Sequence, residues 1–308
     1  MELPVPATGR TDVLVEALTM DVSDWRAVPF DVRGESVFAV GDVHGCAAQL
    51  QALLTEIAGI AGTTRSSTRL VLLGDLIDRG PSSLGVLDIW AQDAGTHGVD
   101  RIHRLMGNHE MTLLLAIGDG PHAPRARELW LGEHMGGGAV LAEMRARAGR
   151  PEAPLDRALV DATLGSHVTA CLFAMEPHLR LGNMLFVHGG LRPRVDVDAY
   201  LARPWADFKD AEWAWIMADF LQWKEGFGGT FVVHGHTPPV RHHELTGEDD
   251  PHQFIHDRLG LDGGSSRNGI VTAAQIEDGR YRILRALGQP AGAPASRAVS
   301  HSRASNSS

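Results

Sequence analysis

Five short apolar runs are spaced along residues 36–233, and each ends in glycine beside Asp, His or Asn. Residues 36–40 run into Gly41-Asp42-Val43-His44-Gly45, and 70–73 run into Gly74-Asp75-Leu76-Ile77-Asp78-Arg79-Gly80-Pro81. Residues 101–106 precede Gly107-Asn108-His109-Glu110, residues 184–187 precede His188-Gly189-Gly190, and 230–233 precede His234-Gly235-His236-Thr237-Pro238. A short apolar run closed by Gly and Pro reads as a buried strand that stops abruptly. Glycine at the stop permits a sharp turn and close backbone approach. Carboxylates and an arginine just past a strand end stand where open α/β sheets hold ligands. Packing alone would not demand them; a polar turn with Asp78 and Arg79 paired is the plainer alternative.

Between the first three runs the period changes to that of a helix. Leu50, Leu53, Leu54 and Ile57 fall on one face of a helix predicted over 47–60. Further helices are predicted over 82–92, with Ser82 as N-cap, and over 110–117. The β-α-β-α-β order implies an α/β fold with parallel strands and right-handed crossovers. Asp42, Asp75 and Asn108 are 33 residues apart in turn, one βα unit each. Residues 1–34 are expected to form an N-terminal extension, and 35–287 the catalytic domain. Residues 118–180 carry no such strand end and read as a helical insert, with one helical patch at 139–147. A helix is also expected over 210–223, its tryptophans packing a core. Residues 288–308, rich in Ala, Ser, Pro, Gly and Arg without periodicity, are expected to be a disordered tail.

GDVHG, GDLIDRG, GNHE, HGG and GHT in this order resemble the calcineurin-like metallophosphoesterases, and more narrowly the phosphoprotein phosphatase branch with its bacterial members. The resemblance covers residues 36–284. It implies two mixed β-sheets stacked face to face with helices outside, a four-layer αββα sandwich. It also implies two divalent metal ions: Asp42 and His44 on the first, Asn108, His188 and His236 on the second, and Asp75 shared. Mixed N and O donors suit Mn, Fe, Zn or Co, with Mn expected. His234, beside the ligand His236, reads as a core or supporting residue.

The implied reaction is phosphoester hydrolysis, a two-metal site making water nucleophilic near neutral pH. Arg79 clamps phosphoryl oxygens, a planar fork suiting phosphate, and Asn108 reaches one as well. His109 is the general acid, oriented by Asp78. The branch usually carries a second phosphate-binding Arg between HGG and GHT. The matching segment here is Trp215-Ile216-Met217, so that Arg is missing. Arg192, Arg194 and Lys224 are the candidate replacements, Arg192 foremost.

Composition bounds the rest. The chain has 308 residues with formal net charge −10, against a general nucleic-acid or anionic-membrane surface. Two cysteines, Cys46 and Cys171, form no CxxC and suit a reducing compartment. The N-terminal stretch lacks the apolar core of a signal peptide, so a cytoplasmic location is expected. Phosphoserine or phosphothreonine protein is the first expected substrate. Symmetrical hydrolysis of dinucleoside tetraphosphates is the second, and an inactive metal-binding scaffold the third.

Overall fold

The computed structural model describes residues 18–205 and 208–289. Its strands are β1 (Thr19–Val22), β2 (Arg26–Ala27), β3 (Ser36–Val40), β4 (Thr68–Leu72), β5 (Arg101–Arg104), β6 (His178–Leu181), β7 (Met184–Val187), β8 (Phe231–His234), β9 (Arg258–Gly260), β10 (Ile270–Glu277) and β11 (Arg280–Leu287). The first sheet runs β1-β11-β10-β3-β4-β5, with β2 also on β11; the second runs β6-β7-β8-β9. β3, β4 and β5 are parallel, as are β7, β8 and β9, whereas the outer strands β10, β11 and β6 pair antiparallel. Both sheets are therefore mixed, as expected.

Strand alternation sorts the core. Val37, Ala39, Val71 and Ile283 of the first sheet meet Phe186, Val233 and Leu259 of the second in one apolar layer. Phe38, Val40, Leu70 and Leu72, one position along, face the helices instead. That side is covered by α1 (Ala47–Ala61), α2 (Ser83–Trp90) and α3 (Asn108–Ala116). Helices α4 (Ala123–Leu131), α5 (Gly137–Ala148), α6 (Arg157–Leu164) and α7 (Ser166–Phe173) occupy the stretch before β6. Among the described residues no helix is long and apolar enough to cross a membrane.

Several local expectations change. Ser82 makes no side-chain cap; the Glu143 carboxylate of α5 accepts the Ser83 and Leu84 N–H groups instead, at 3.2 and 3.0 Å. Residues 210–223 are not one helix. They form a 3₁₀ turn, Glu212–Ala214, and, after α8 (Val197–Leu201) earlier in the chain, the short α9 (Ala218–Leu221). Tertiary bonds take one carbonyl a continuous helix would use and cap the end of the segment. Gly189 and Gly190 donate to the Trp213 carbonyl, and the buried Arg258 guanidinium donates to those of Phe220 and Leu221. Residues 19–27, placed by sequence in an extension, pair with β11 and widen the first sheet. Residues 1–17 and 290–308, the latter nearly all of the expected tail, lie outside the described residues.

Candidate active site

Four of the five strand-end turns line one cleft of about 660 Å³, and the remaining one sets His188 Nε2 3.0 Å from the lining residue Asn108. Its floor includes His44, Asp75, Asn108, His109 and His236, with Arg79 on one side. The turns are tight enough to force non-glycine residues into left-handed backbone: φ is 41° at His44, 50° at Asp75, 75° at Asp78, 66° at Arg79 and 67° at His236. Such conformations cost on the order of 1–3 kcal/mol each and persist only where surroundings over-determine them. Glu110 supplies part of that constraint. Its carboxylate accepts the N–H groups of Asp75, Leu76 and Ile77 at 2.9, 2.8 and 3.3 Å. Gly107 makes room for this packing, since a Cβ there would lie 2.4 Å from the Asp75 carboxylate and 2.6 Å from that of Glu110.

Asp75 faces two sets of donors. Its Oδ1 is 3.2 Å from His188 Nε2, while its Oδ2 is 3.6 Å from His44 Nε2 and 3.8 Å from His109 Nε2. His44, Asp75 and His109 form one group of potential ligand atoms, all within 4.8 Å of one another; Asp75, His188 and His236 form a second. Asn108 Oδ1 stands 3.0 Å from His188 Nε2. Outer partners set the ring orientations. His44 Nδ1 lies 2.8 Å from the Ile77 carbonyl and His188 Nδ1 2.9 Å from that of Leu73. A carbonyl only accepts, so both Nδ1 atoms carry the proton and both Nε2 lone pairs point inward. His236 is reversed: Nε2 donates to the Trp215 carbonyl at 3.2 Å, leaving Nδ1 buried without a partner. Asp42 lies 4.0 Å from His44 Nε2 and accepts the His236 N–H at 2.9 Å.

The floor carries too much negative charge to stand alone. Asp42, Asp75, Asp78, Glu110 and Asp262 are all buried. Burial, then the charges of Asp262 and Asp75, push the Asp42 carboxyl well up. Burial, then Asp75, pushes Glu110 up to about 7, and burial is the largest cause raising Asp262 to about 6. Buried carboxylates want cations. Together with buried, unpartnered His109 Nε2 and His236 Nδ1, this donor set fits divalent metal ions in two groups sharing Asp75.

His109 lies beside the first group. Its Nδ1 is 2.6 Å from Asp78 Oδ2, and the Trp130 indole of α4 donates to the same oxygen at 2.9 Å. Burial holds the imidazole's pKa well below the usual range, against the pull of Asp75. The Asp78 carboxyl moves the other way, raised by burial and by Glu110. Arg79 places Nη1 3.0 Å from His44 Nε2 and donates from Nε and Nη2 to the His134 carbonyl at 3.4 and 3.3 Å.

The candidates for the missing cation fall elsewhere. Arg192 is bound to Glu212 and Asp219, Arg194 to Glu225, and neither they nor Lys224 line the cleft. Met217 does line it. So do Arg241 and Arg267, which the sequence pattern did not single out. His234 is buried, its ring 5.0 Å from that of Phe220, and stays out of the cleft. Glu110, Asp262 and Trp130 were missed as supporting groups. Glu110 had a signal, since it closes the GNHE string; Trp130 had none.

Comparison with known proteins agrees with the fold. The model of the calcineurin-like phosphoesterases matches residues 36–263. A symmetrical bis(5'-nucleosyl)-tetraphosphatase of Paracidovorax citrulli (strain AAC00-1) is 29% identical over 214 residues, 70% of this chain and 61% of that protein. One of the same name from Thioalkalivibrio sulfidiphilus (strain HL-EbGR7) is 37% identical over 93 residues, 30% of this chain and 31% of that protein. The chain thus spans less than two thirds of the length of these relatives. A solved structure of a protein serine/threonine phosphatase from Saccharomyces cerevisiae is 12% identical with a TM-score of 0.44, covering 83% of this chain and 81% of that one. With a family match across most of its length, the chain belongs to the calcineurin-like phosphoesterases.

Proposed function

We propose that this protein is a two-metal phosphohydrolase whose substrate is a dinucleoside tetraphosphate, cut symmetrically into two nucleoside diphosphates. The observation that carries the hydrolase reading is Asp75, which turns one carboxylate oxygen to each of two donor groups. Asp42, His44 and Asp75 would hold one divalent ion, Mn foremost, and Asp75, Asn108, His188 and His236 the other. Such ions supply Lewis-acid charge and an activated water when bound. Arg79 sits on the cleft wall with the fork geometry that suits phosphoryl oxygens. Water adds to phosphorus, the bond to the leaving oxygen breaks, and His109 delivers a proton to that oxygen.

The choice of substrate rests on two supports. The relatives bear that name. His109 also has little hold on a proton, so the incoming phosphate anion must raise its affinity. A diphosphate leaving group needs little protonation, whereas a serine alkoxide needs much. A phosphoserine or phosphothreonine protein, the first expectation from sequence, therefore becomes the second reading. The test is the full-length chain, stripped by chelator and reloaded with Mn, offered diadenosine tetraphosphate, a phosphoserine peptide and nitrophenyl phosphate. The expected result is metal-restored release of ADP as sole nucleotide product. Full activity in metal-free protein would overturn the metal role. Preference for the phosphopeptide would overturn the substrate.

A further inference from the structure

A second cavity, of about 310 Å³, adjoins the catalytic cleft and shares Trp215 with it. Its other lining residues are His122, Arg125, Leu129, Phe208 and Lys209. Three of the six carry flat rings. Phe208 meets Trp215 edge-on at 5.9 Å between centroids and His122 at 6.4 Å. Arg125 is exposed and has no ion pair among the described residues. Both walls are tied to the chemistry. α4 carries Arg125 and Leu129 and also sends the Trp130 indole to Asp78. On the opposite wall the Trp215 carbonyl holds His236.

We infer that this cavity is a nucleobase subsite, holding the purine of one half of a nucleoside oligophosphate while its phosphates pass Trp215 into the catalytic cleft. The inference rests on the phosphohydrolase reading above but concerns a different pocket. Aromatic side chains bind bases through faces that every base offers. Guanidinium and ammonium groups beside them suit the anionic linker. A phosphoserine side chain has no ring to place there.

The test is binding, so it does not depend on turnover. Calorimetry on the full chain compares AMP with ribose 5-phosphate, which differ by the base alone. Base–aromatic stacking predicts a roughly 5- to 150-fold tighter dissociation constant for AMP. Phe208→Ala should erase that preference, and Phe208→Tyr should keep it. In turnover, Phe208→Ala should lower kcat/KM for diadenosine tetraphosphate relative to tripolyphosphate by a similar factor. Equal binding of AMP and ribose 5-phosphate by the wild type overturns the subsite, whatever the protein hydrolyses. So does an AMP preference that survives Phe208→Ala in protein with an unchanged melting curve. A phosphopeptide that displaces AMP, with adenosine itself failing to bind, would give the pocket to a protein substrate. If AMP binds through Phe208 but no phosphate compound is hydrolysed with metal present, the subsite stands and the hydrolase reading fails.

Discussion

The floor of the cleft and its rim are built on different plans. The floor comes from strand-end turns, with Asp42, His44, Asp75, His109 and His188 buried side by side. Left-handed backbone at His44, Asp75, Asp78, Arg79 and His236 is held there by groups such as Glu110. The rim comes from α4, residues 208–217, α10 (Pro239–Thr246) and α11 (Ser265–Asn268). Among the described residues, no non-glycine rim position has left-handed backbone, and exposed cations such as Arg125 and Arg267 replace the buried carboxylates. The floor stores strain and charge, so small changes there should be felt as chemistry. The rim stores no such strain and its charges are exposed, so changes there should be felt as selectivity.

Asp75→Asn is the severest way to test that division. It removes one charge from both donor groups at once. The loss of rate should exceed the ~10–100-fold typical of disturbing an outer partner of a metal ligand. Metal content, read by elemental analysis, should fall with it. Two metals per chain at full occupancy in Asp75→Asn would show that the carboxylate is not shared.

His109→Asn comes next. A general acid is worth roughly 10²–10⁴-fold, so kcat should drop by that much for a phosphoserine peptide while metal content stays constant. Diadenosine tetraphosphate and nitrophenyl phosphate should suffer far less, because their leaving groups are acidic. The same loss on all three would assign His109 to positioning.

The two regions also differ in how far the sequence reveals them. His44, Asp75, Asn108, His188 and His236 were legible because a strand end followed by glycine is local, and each turn carries its own chemistry. The parallel pairing of β3, β4 and β5 followed from the helices between the same strings. Residues 210–223 misled because their apolar spacing suits a helix, while Gly189 and Gly190, distant in sequence, claim the Trp213 carbonyl. Arg241 and Arg267 line the cleft, Phe208 lines the second cavity and Trp130 reaches Asp78 only through tertiary packing. No neighbour in sequence announces them. Arg192, the foremost replacement for the missing cation, is held outside the cleft by Glu212 and Asp219.

The charge on the floor gives a pH prediction with a definite sign. Glu110 rises to about 7 and Asp262 to about 6 in the folded protein, above their ordinary values of about 4.3 and 3.9. Between each pair of values the folded state binds more protons than the unfolded one. These two groups therefore take stability away as pH rises from about 4 to 7, while the buried imidazoles of His44, His234 and His236, lowered to about 4, 3 and 3, return it over much of the same range. A tenfold change in proton affinity corresponds to about 1.4 kcal/mol, so Glu110 alone accounts for up to about 4 kcal/mol. Denaturant titrations of the wild type and of Glu110→Gln at pH 5 and pH 8 would isolate the Glu110 share, with the wild type losing ground to Glu110→Gln as pH rises. A wild type that gains on Glu110→Gln between pH 5 and pH 8 would mean that a neighbouring cation already balances Glu110.

Met217 lies where floor and rim meet, so Met217→Arg should produce the smallest and most selective effect. Met217 is half-buried and lines the cleft with Asn108 and His236. Its thioether offers no donor to a phosphoryl oxygen. An arginine there would add a charged hydrogen bond, weakened by partial exposure to roughly 1–2 kcal/mol, or about 5- to 30-fold tighter inhibition by inorganic phosphate. The gain should appear in KM for nitrophenyl phosphate, with kcat little changed, because positioning rather than proton transfer is altered. Arg241→Ala and Arg267→Ala provide the contrast. These are the rim cations already facing the cleft, so each should weaken binding of diadenosine tetraphosphate more than binding of nitrophenyl phosphate. If Met217→Arg weakens phosphate binding while Arg241→Ala or Arg267→Ala abolishes it, the rim already supplies the missing cation. The separation of floor chemistry from rim selectivity would then fail at that residue.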